Sequence, residues 1–250
     1  MIALEFPEIN SILRWKDIFP GFNKIALIAV MATLISVTIF LLAARRDAST
    51  APKGVRNFAE MIVEFIENGV VMQTMGRDGL GWTPFLLTMF LFIYLCNVPG
   101  IIPFLQMPAT ARMAVPMFLA LLVWVIYNGV GIKHQGIGGY LKSTLFPPGV
   151  PKALYILVTP IEFISAIIVR PFSLAVRLFA NMMAGHILLI TFGVLCITLW
   201  SLSFLVAALP LSLFMLIALT GFEVLVAFLQ AYIFTILTAV YIGGAAHPEH

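Results

Sequence analysis

Two stretches in the C-terminal part of the chain are apolar for longer than a membrane is thick. From Ala153 to Trp200 the only charged or imidazole side chains are Glu162, Arg170, Arg177 and His186; from Ser201 to Ala246 the only one is Glu223. As a continuous helix at 1.5 Å per residue, each stretch would run roughly 70 Å, more than twice a hydrocarbon core of ~30 Å. Splitting either into two short spans requires a polar turn near its middle, and neither has one. Arg170-Pro171 and Pro210 can kink a helix but supply no loop. Ordinary tilt, up to ~40°, does not absorb the excess length. The pattern therefore predicts two long, strongly tilted helices, over 153–200 and 201–246. Such a pair suits a flank laid along a cylindrical partner.

The rest of the chain agrees with a membrane class. Hydrophobic residues make up 62% of it and charged residues 10%, against about 25% charged in soluble domains. Uncharged runs predict further spans over 25–44, 82–104 and 113–133, each close to the ~20 residues a spanning helix needs. They are read as helices because a lone strand in lipid leaves its backbone unpaired. Residues 53–76 differ: Phe58, Met61, Ile62, Phe65 and Ile66 recur at helical spacing, with Glu60, Glu64 and Glu67 on the other side. This predicts an amphipathic interfacial helix, its acidic face favouring a partner over lipid headgroups. The expected fold class is an all-α integral membrane protein, one membrane domain over 1–250. Residues 136–151 are rich in turn formers and read as a loop.

Arg45, Arg46, Lys53, Arg56 and Arg77 flank the interfacial segment, and Lys133, Lys142 and Lys152 follow the third span. By the positive-inside rule these loops are cytoplasmic. Five spans then put the N-terminus outside and the C-terminus inside; Arg14, Lys16 and Lys24 weaken the contrast without reversing it. Segment 1–24 carries acidic residues and lacks the short apolar core of a cleaved signal, so it reads as an outer N-terminal segment. No basic patch with interleaved aromatics points to nucleic acid. Cys96 and Cys196 lie in apolar runs and read as small buried hydrophobes.

A charge at mid-bilayer costs roughly 3 kcal/mol or more, so the ionisable residues in the two long stretches are functional candidates. In the run RPFSLAVRLFANMMAGH, from Arg170 to His186, Arg170, Ser173, Arg177, Asn181 and Ala184 share one helical face that is basic, polar and small. Arg177 has no acid within a helical turn. Its counter-charge is either Glu162 or Glu223 of the same chain or, the favoured reading, a group on another protein that comes and goes. Arg170, before a proline, reads as snorkelling or loop-facing. His186 falls on roughly the opposite face. Glu223 and Gln230 share a face of the last stretch, and with His186 they can line a wet proton path. Glu and His can pass protons near neutral pH; Gln and Asn only orient water. Asn97 in the second span is either part of such a path or an interhelical hydrogen-bonding group. Glu162 is a further candidate.

These runs carry a family resemblance. RPFSLAVRLFANMMAGH resembles the RLFxNxxAGx signature of subunit a of F-type ATP synthases, and FEVLVAFLQAYIFTILTAVYI, Phe222 to Ile242, resembles that family's last helix with its LQAxxF core. PFLLTMFLFIYLCNVPGIIP, Pro84 to Pro103, is similar to its second span. The resemblance implies a proton-translocating stator subunit in the Fo sector, not catalytic by itself and without cofactor or metal. It implies as partners a c-subunit ring, the subunit b peripheral stalk, the rest of the ATP synthase and membrane lipids. It makes Arg177 the essential arginine facing the ring. It places Glu223, His186, Asn181, Gln230 and Asn97 on an outer half-channel, and Glu162 and Ser173 on an inner one. His186 stands where many relatives have an acid, and Glu223 where many have a histidine, so the pair looks exchanged. Asn97-Val98-Pro99-Gly100 lacks the aspartate that many relatives carry. The Glu162 to Arg177 spacing is shifted by one residue.

Three other classes fit less well. A self-contained proton-coupled secondary transporter would show internal repeats, and no segment recurs. A haem subunit would need paired intramembrane histidines, and only His186 lies deep. An intramembrane hydrolase would need HExxH, GxSxG or paired aspartates, and none is present.

Overall fold

The computed structural model describes residues 23–44, 54–102, 108–146, 154–201 and 205–246. The predicted outer segment therefore lies outside the described residues up to position 22, as do Arg45, Arg46, Lys53 and Lys152. Seven α-helices of ten or more residues carry the described chain: α1 (Lys24–Ala44), α2 (Val55–Ile66), α3 (Thr83–Asn97), α4 (Ala114–Leu145), α5 (Tyr155–Ile164), α6 (Arg170–Ser201) and α7 (Leu209–Ala246). No strand occurs among the described residues. Among the described residues five stretches are long and apolar enough to cross a membrane: Lys24–Ala43, Gly76–Gly100, Ala114–Leu145, Tyr155–Trp200 and Val206–Ala246.

α5 and α6 form one rod, because the five residues between them are a π-helical turn, Ser165–Val169, rather than a loop. The sequence explains why the turn sits there. The N–H of Arg170 bonds back to Ser165 O, and the next donor in that pattern would be residue 171. Pro171 has no N–H, so the Ala166 carbonyl is released. It is taken up by α4 instead, accepting from Trp124 Nε1 at 3.1 Å and from the Tyr127 hydroxyl at 2.9 Å. A second π turn, Glu67–Val71, follows α2, and there the Gly69 carbonyl accepts from the Tyr232 hydroxyl at 3.2 Å. In both places a carbonyl in the wide turn finds an aromatic donor from another helix, as a buried polar group in an apolar medium must.

α6 and α7 are antiparallel. Cys196 Sγ meets Ser212 Oγ at 3.4 Å, Gly185 abuts Glu223, and the Arg170 guanidinium lies over the Tyr241 ring at 5.8 Å. Positions rise on one helix as they fall on the other. Along α6 these contacts span roughly 39 Å at 1.5 Å per residue, longer than a ~30 Å core. α7 begins at Leu209 rather than at 201, with a 3-10 turn Leu205–Ala208 before it. Pro210 sits in its first turn, where a missing N–H and a fixed φ suit helix initiation.

The turn-rich segment after the third span is helical up to Leu145, contrary to its composition. Gly136, at φ 72°, breaks α4 and reverses it. Its returning half is held by Tyr140 OH donating to Asn128 Oδ1 at 2.9 Å and Ser143 Oγ donating to Gln135 Oε1 at 2.6 Å. Tyr140 rests on Gly131, at a distance that leaves no room for a Cβ. The 53–76 segment is α2, the π turn and a single further turn, Met72–Thr74. Ala59 and Ile66 are buried while Phe58 and Met61 stay exposed, so only part of its apolar stripe meets the core. That core joins Ile66, Val70, Leu86, Phe90, Val123, Leu178, Phe234 and Ile242; it is drawn from α2 and its π turn, α3, α4, α6 and α7.

Candidate proton-path site

α6 presents two opposite faces. Leu174, Ala175, Leu178 and Met182 are buried against the bundle, whereas Ser173, Arg177, Asn181 and Ala184 are exposed. Of the basic, polar, small face predicted from spacing, these four positions are thus exposed, whereas the fifth, Arg170, is half-buried and pairs with Glu162. Among the described residues Arg177 makes no hydrogen bond and no ion pair. Neither acid of the long helices neutralises it. Glu162 is engaged by Arg170, whose Nη2 lies 3.9 Å from Oε2, and Glu223 is buried on another helix.

Glu223 is 4% exposed, and neither of its oxygens has a hydrogen-bond partner among the described residues. The carboxylate fits there because position 185 has no side chain: a Cβ on Gly185 would lie 3.0 Å from Oε1 and 3.2 Å from Cδ. His186, the next residue, is also buried, at 3%. The acid of α7 thus meets α6 at Gly185, one residue before the buried His186. Gly185 was not singled out from the sequence, although an Ala-Gly pair just before a membrane histidine signals close approach of another helix. Gln230 continues the buried stripe of α7 from Glu223 through Ala227.

Asn97 ends α3 and is fully buried. Its Oδ1 accepts from the Thr110 hydroxyl, and its Nδ2 donates to Ala227 O at 3.5 Å, one turn beyond Glu223. It ties the buried 3-10 turn Ala109–Ala111 to α7. Gly100 makes the fold of this loop feasible: a Cβ on it would lie 2.8 Å from Pro108 Cδ. Met182, Ala111 and Ala227 pack together beside these polar groups.

A second ionisable cluster lies nearer the start of the rod. Arg170 does not snorkel away. It reaches Glu162 and covers the Tyr241 ring, and Tyr241 stands 5.7 Å from the Tyr127 ring. The one-residue shift in the Glu162 to Arg177 spacing coincides with the π turn between them, which holds one more residue than an α turn. Along α6, Arg177 stands between the two clusters, about 10 Å from Arg170 and about 12 Å from Gly185 at 1.5 Å per residue.

Residues 25–243 match the family model described as ATP synthase A chain. The chain is 42% identical to the ATP synthase subunit a of Frankia alni, over 97% of this chain and 86% of that protein. It is 44% identical to the ATP synthase subunit a of a Parafrankia species, over 96% and 82%. It is 38% identical to the ATP synthase subunit a of Maricaulis maris, over 97% and 99%. The five apolar stretches, the exposed Arg177 face and a match covering nearly the whole chain lead to one conclusion: this membrane protein belongs to the ATP synthase A chain family.

Proposed function

We propose that this chain is the stator subunit that carries protons to and from a rotating ring of small subunits in an ATP synthase. The observation that supports it most directly is the position of Arg177. It is exposed, has no partner among the described residues, and stands on α6 between two ionisable clusters. An unpaired guanidinium in an apolar zone calls for an anion from outside the chain. A carboxylate on a passing ring subunit is such an anion.

In this reading the outer half-channel runs by Glu223, His186 and Gln230, with Asn181 and Asn97 orienting water or backbone beside them. A proton delivered there neutralises a ring carboxylate, which can then turn into lipid where its charged form could not. After most of a turn the carboxyl reaches the inner side near Glu162 and Ser173 and releases its proton. Arg177 favours the ionised carboxylate and repels protons, which keeps the two half-channels from joining. Each elementary charge moved through 100 mV is worth ~2.3 kcal/mol, so a short circuit there would dissipate the gradient. The long antiparallel pair α6–α7 supplies the flank along which the ring turns. Subunit b and the rest of the complex hold the chain still, and lipid covers its remaining surface. Loop charge sets the N-terminus outside and the C-terminus in the cytoplasm of a cell with this complex in its inner (plasma) membrane.

The test is proton-driven ATP synthesis by the whole complex with Arg177→Ala. Assembly should persist and synthesis should stop. Synthesis at the wild-type rate would overturn the assignment.

A further inference from the structure

We propose that Arg170 is a positioning residue: seated on the Tyr241 ring, it aims and holds the carboxylate of Glu162 at the inner end of the α5–α6 rod. The inference rests on the reading of Glu162 as part of the inner proton path.

Four elements converge here. Glu162 comes from α5, Arg170 from the start of α6, Tyr241 from α7 and Tyr127 from α4. Arg170 Nη2 is 3.9 Å from Glu162 Oε2, and its guanidinium carbon is 5.8 Å from the centre of the Tyr241 ring. Tyr241 is backed by Tyr127 at 5.7 Å between ring centres, and the Tyr127 hydroxyl is fixed on Ala166 O. A planar guanidinium on an aromatic face is held in one orientation while its edge stays free to meet a carboxylate. The Glu162 and Arg170 side chains are 33% and 35% exposed. This acid is therefore partly exposed on the chain's surface, unlike Glu223 on the other side of Arg177.

The π turn brings the pair together. In an uninterrupted α-helix, eight residues leave two side chains about 80° apart around the axis. One extra residue absorbed in the turn brings that to about 20°. The ion pair, the π turn and the proline that releases Ala166 O thus form one construction. Its product is a carboxylate at a set place beside a fixed positive charge. The pair also explains why Glu162 is not drawn to Arg177, which leaves that guanidinium free for the ring.

The experiment uses the complete ATP synthase in liposomes. It measures ATP-driven proton uptake, proton-driven synthesis and, by co-purification, assembly. Arg170→Gln should slow both directions about fivefold, in line with loss of a half-exposed ion pair. Arg170→Lys should fall between wild type and Arg170→Gln, because the charge remains but the planar edge that aims the carboxylate is lost. Tyr241→Phe should match wild type and Tyr241→Leu should fall between, because the ring and not the hydroxyl is used. Adding Arg170→Gln to Glu162→Gln should cause no further loss. A wild-type rate in Arg170→Gln with a slow Glu162→Gln overturns the inference and leaves the inner path standing. A wild-type rate in Glu162→Gln overturns the inner path reading and the inference with it. Equal losses in the Lys and Gln variants, or losses that multiply in the double variant, make Arg170 a packing residue and overturn the proposal. If Arg170→Gln does not assemble, the Tyr241 variants decide, and equal rates in Leu and Phe overturn it.

Discussion

Glu223 lies directly against Gly185, its Oε1 only 3.0 Å from where a Cβ on that residue would stand. The absent side chain on α6 is what admits a carboxylate from α7 into the buried space between the two helices. Gly185→Ala should displace that carboxylate, at about 1–3 kcal/mol for overpacking a tight site. Proton-driven ATP synthesis in inverted vesicles should fall by about tenfold with the complex still assembled, and Gly185→Val should abolish it. Wild-type synthesis in the valine variant would show that the fit does not matter.

His186 of α6 and Glu223 of α7 are both buried, and Glu223 touches α6 one residue before the histidine. Single replacements, His186→Ala or Glu223→Gln, should each reduce proton flux by about a hundredfold, the scale of losing a positioned proton carrier. The exchange His186→Glu with Glu223→His keeps one of each and should recover at least about a tenth of the flux. Flux in the exchanged double variant no better than in the single variants would separate the two residues into unrelated roles.

The Ala166 carbonyl depends on two donors from α4, Trp124 and Tyr127. Tyr127→Phe leaves one donor and should be mild. Trp124→Phe combined with Tyr127→Phe leaves a carbonyl without a partner and should cost about 1–3 kcal/mol. Thermal unfolding of the detergent-solubilised complex should show the double variant losing more than the sum of the single ones. Strict additivity would mean that the carbonyl finds another donor.

Gly131 underlies the reversal of α4 by letting Tyr140 lie on the helix it folds back upon. Gly131→Ala should push the ring off and weaken the returning half by about 1–3 kcal/mol. Limited proteolysis between residues 136 and 146 should become faster. An unchanged digestion rate would show that the hairpin does not rely on this contact.

Much of this arrangement was readable from residue order. Charge-free runs marked the spans, and helical periodicity put Ser173, Arg177, Asn181 and Ala184 on one side of α6, the side that is exposed. Periodicity within a helix says nothing of the register between helices, so the meeting of Gly185 with Glu223 was beyond it. The helical course of residues 137–145 was hidden by glycines at 136, 138 and 139, whose poor helix propensity is overridden by hydrogen bonds from Tyr140 and Ser143. Pro171 announced a disturbance but not its form. Whether a chain answers a missing N–H with a kink, a break or a wide turn depends on what donors neighbouring helices offer, and those come from distant positions.

The bare guanidinium on the outer face of α6 also bears on how the protein is made. Alone in a bilayer, that helix would hold an uncompensated charge against hydrocarbon, at roughly 3 kcal/mol or more, along with an exposed strip of polar atoms. A newly inserted copy would remain an unfavourable tenant of the lipid until a neighbour bearing carboxylates covered it. If the proposed stator role holds, biogenesis should therefore favour early association with the ring, and copies left without it should be the first that membrane proteases remove.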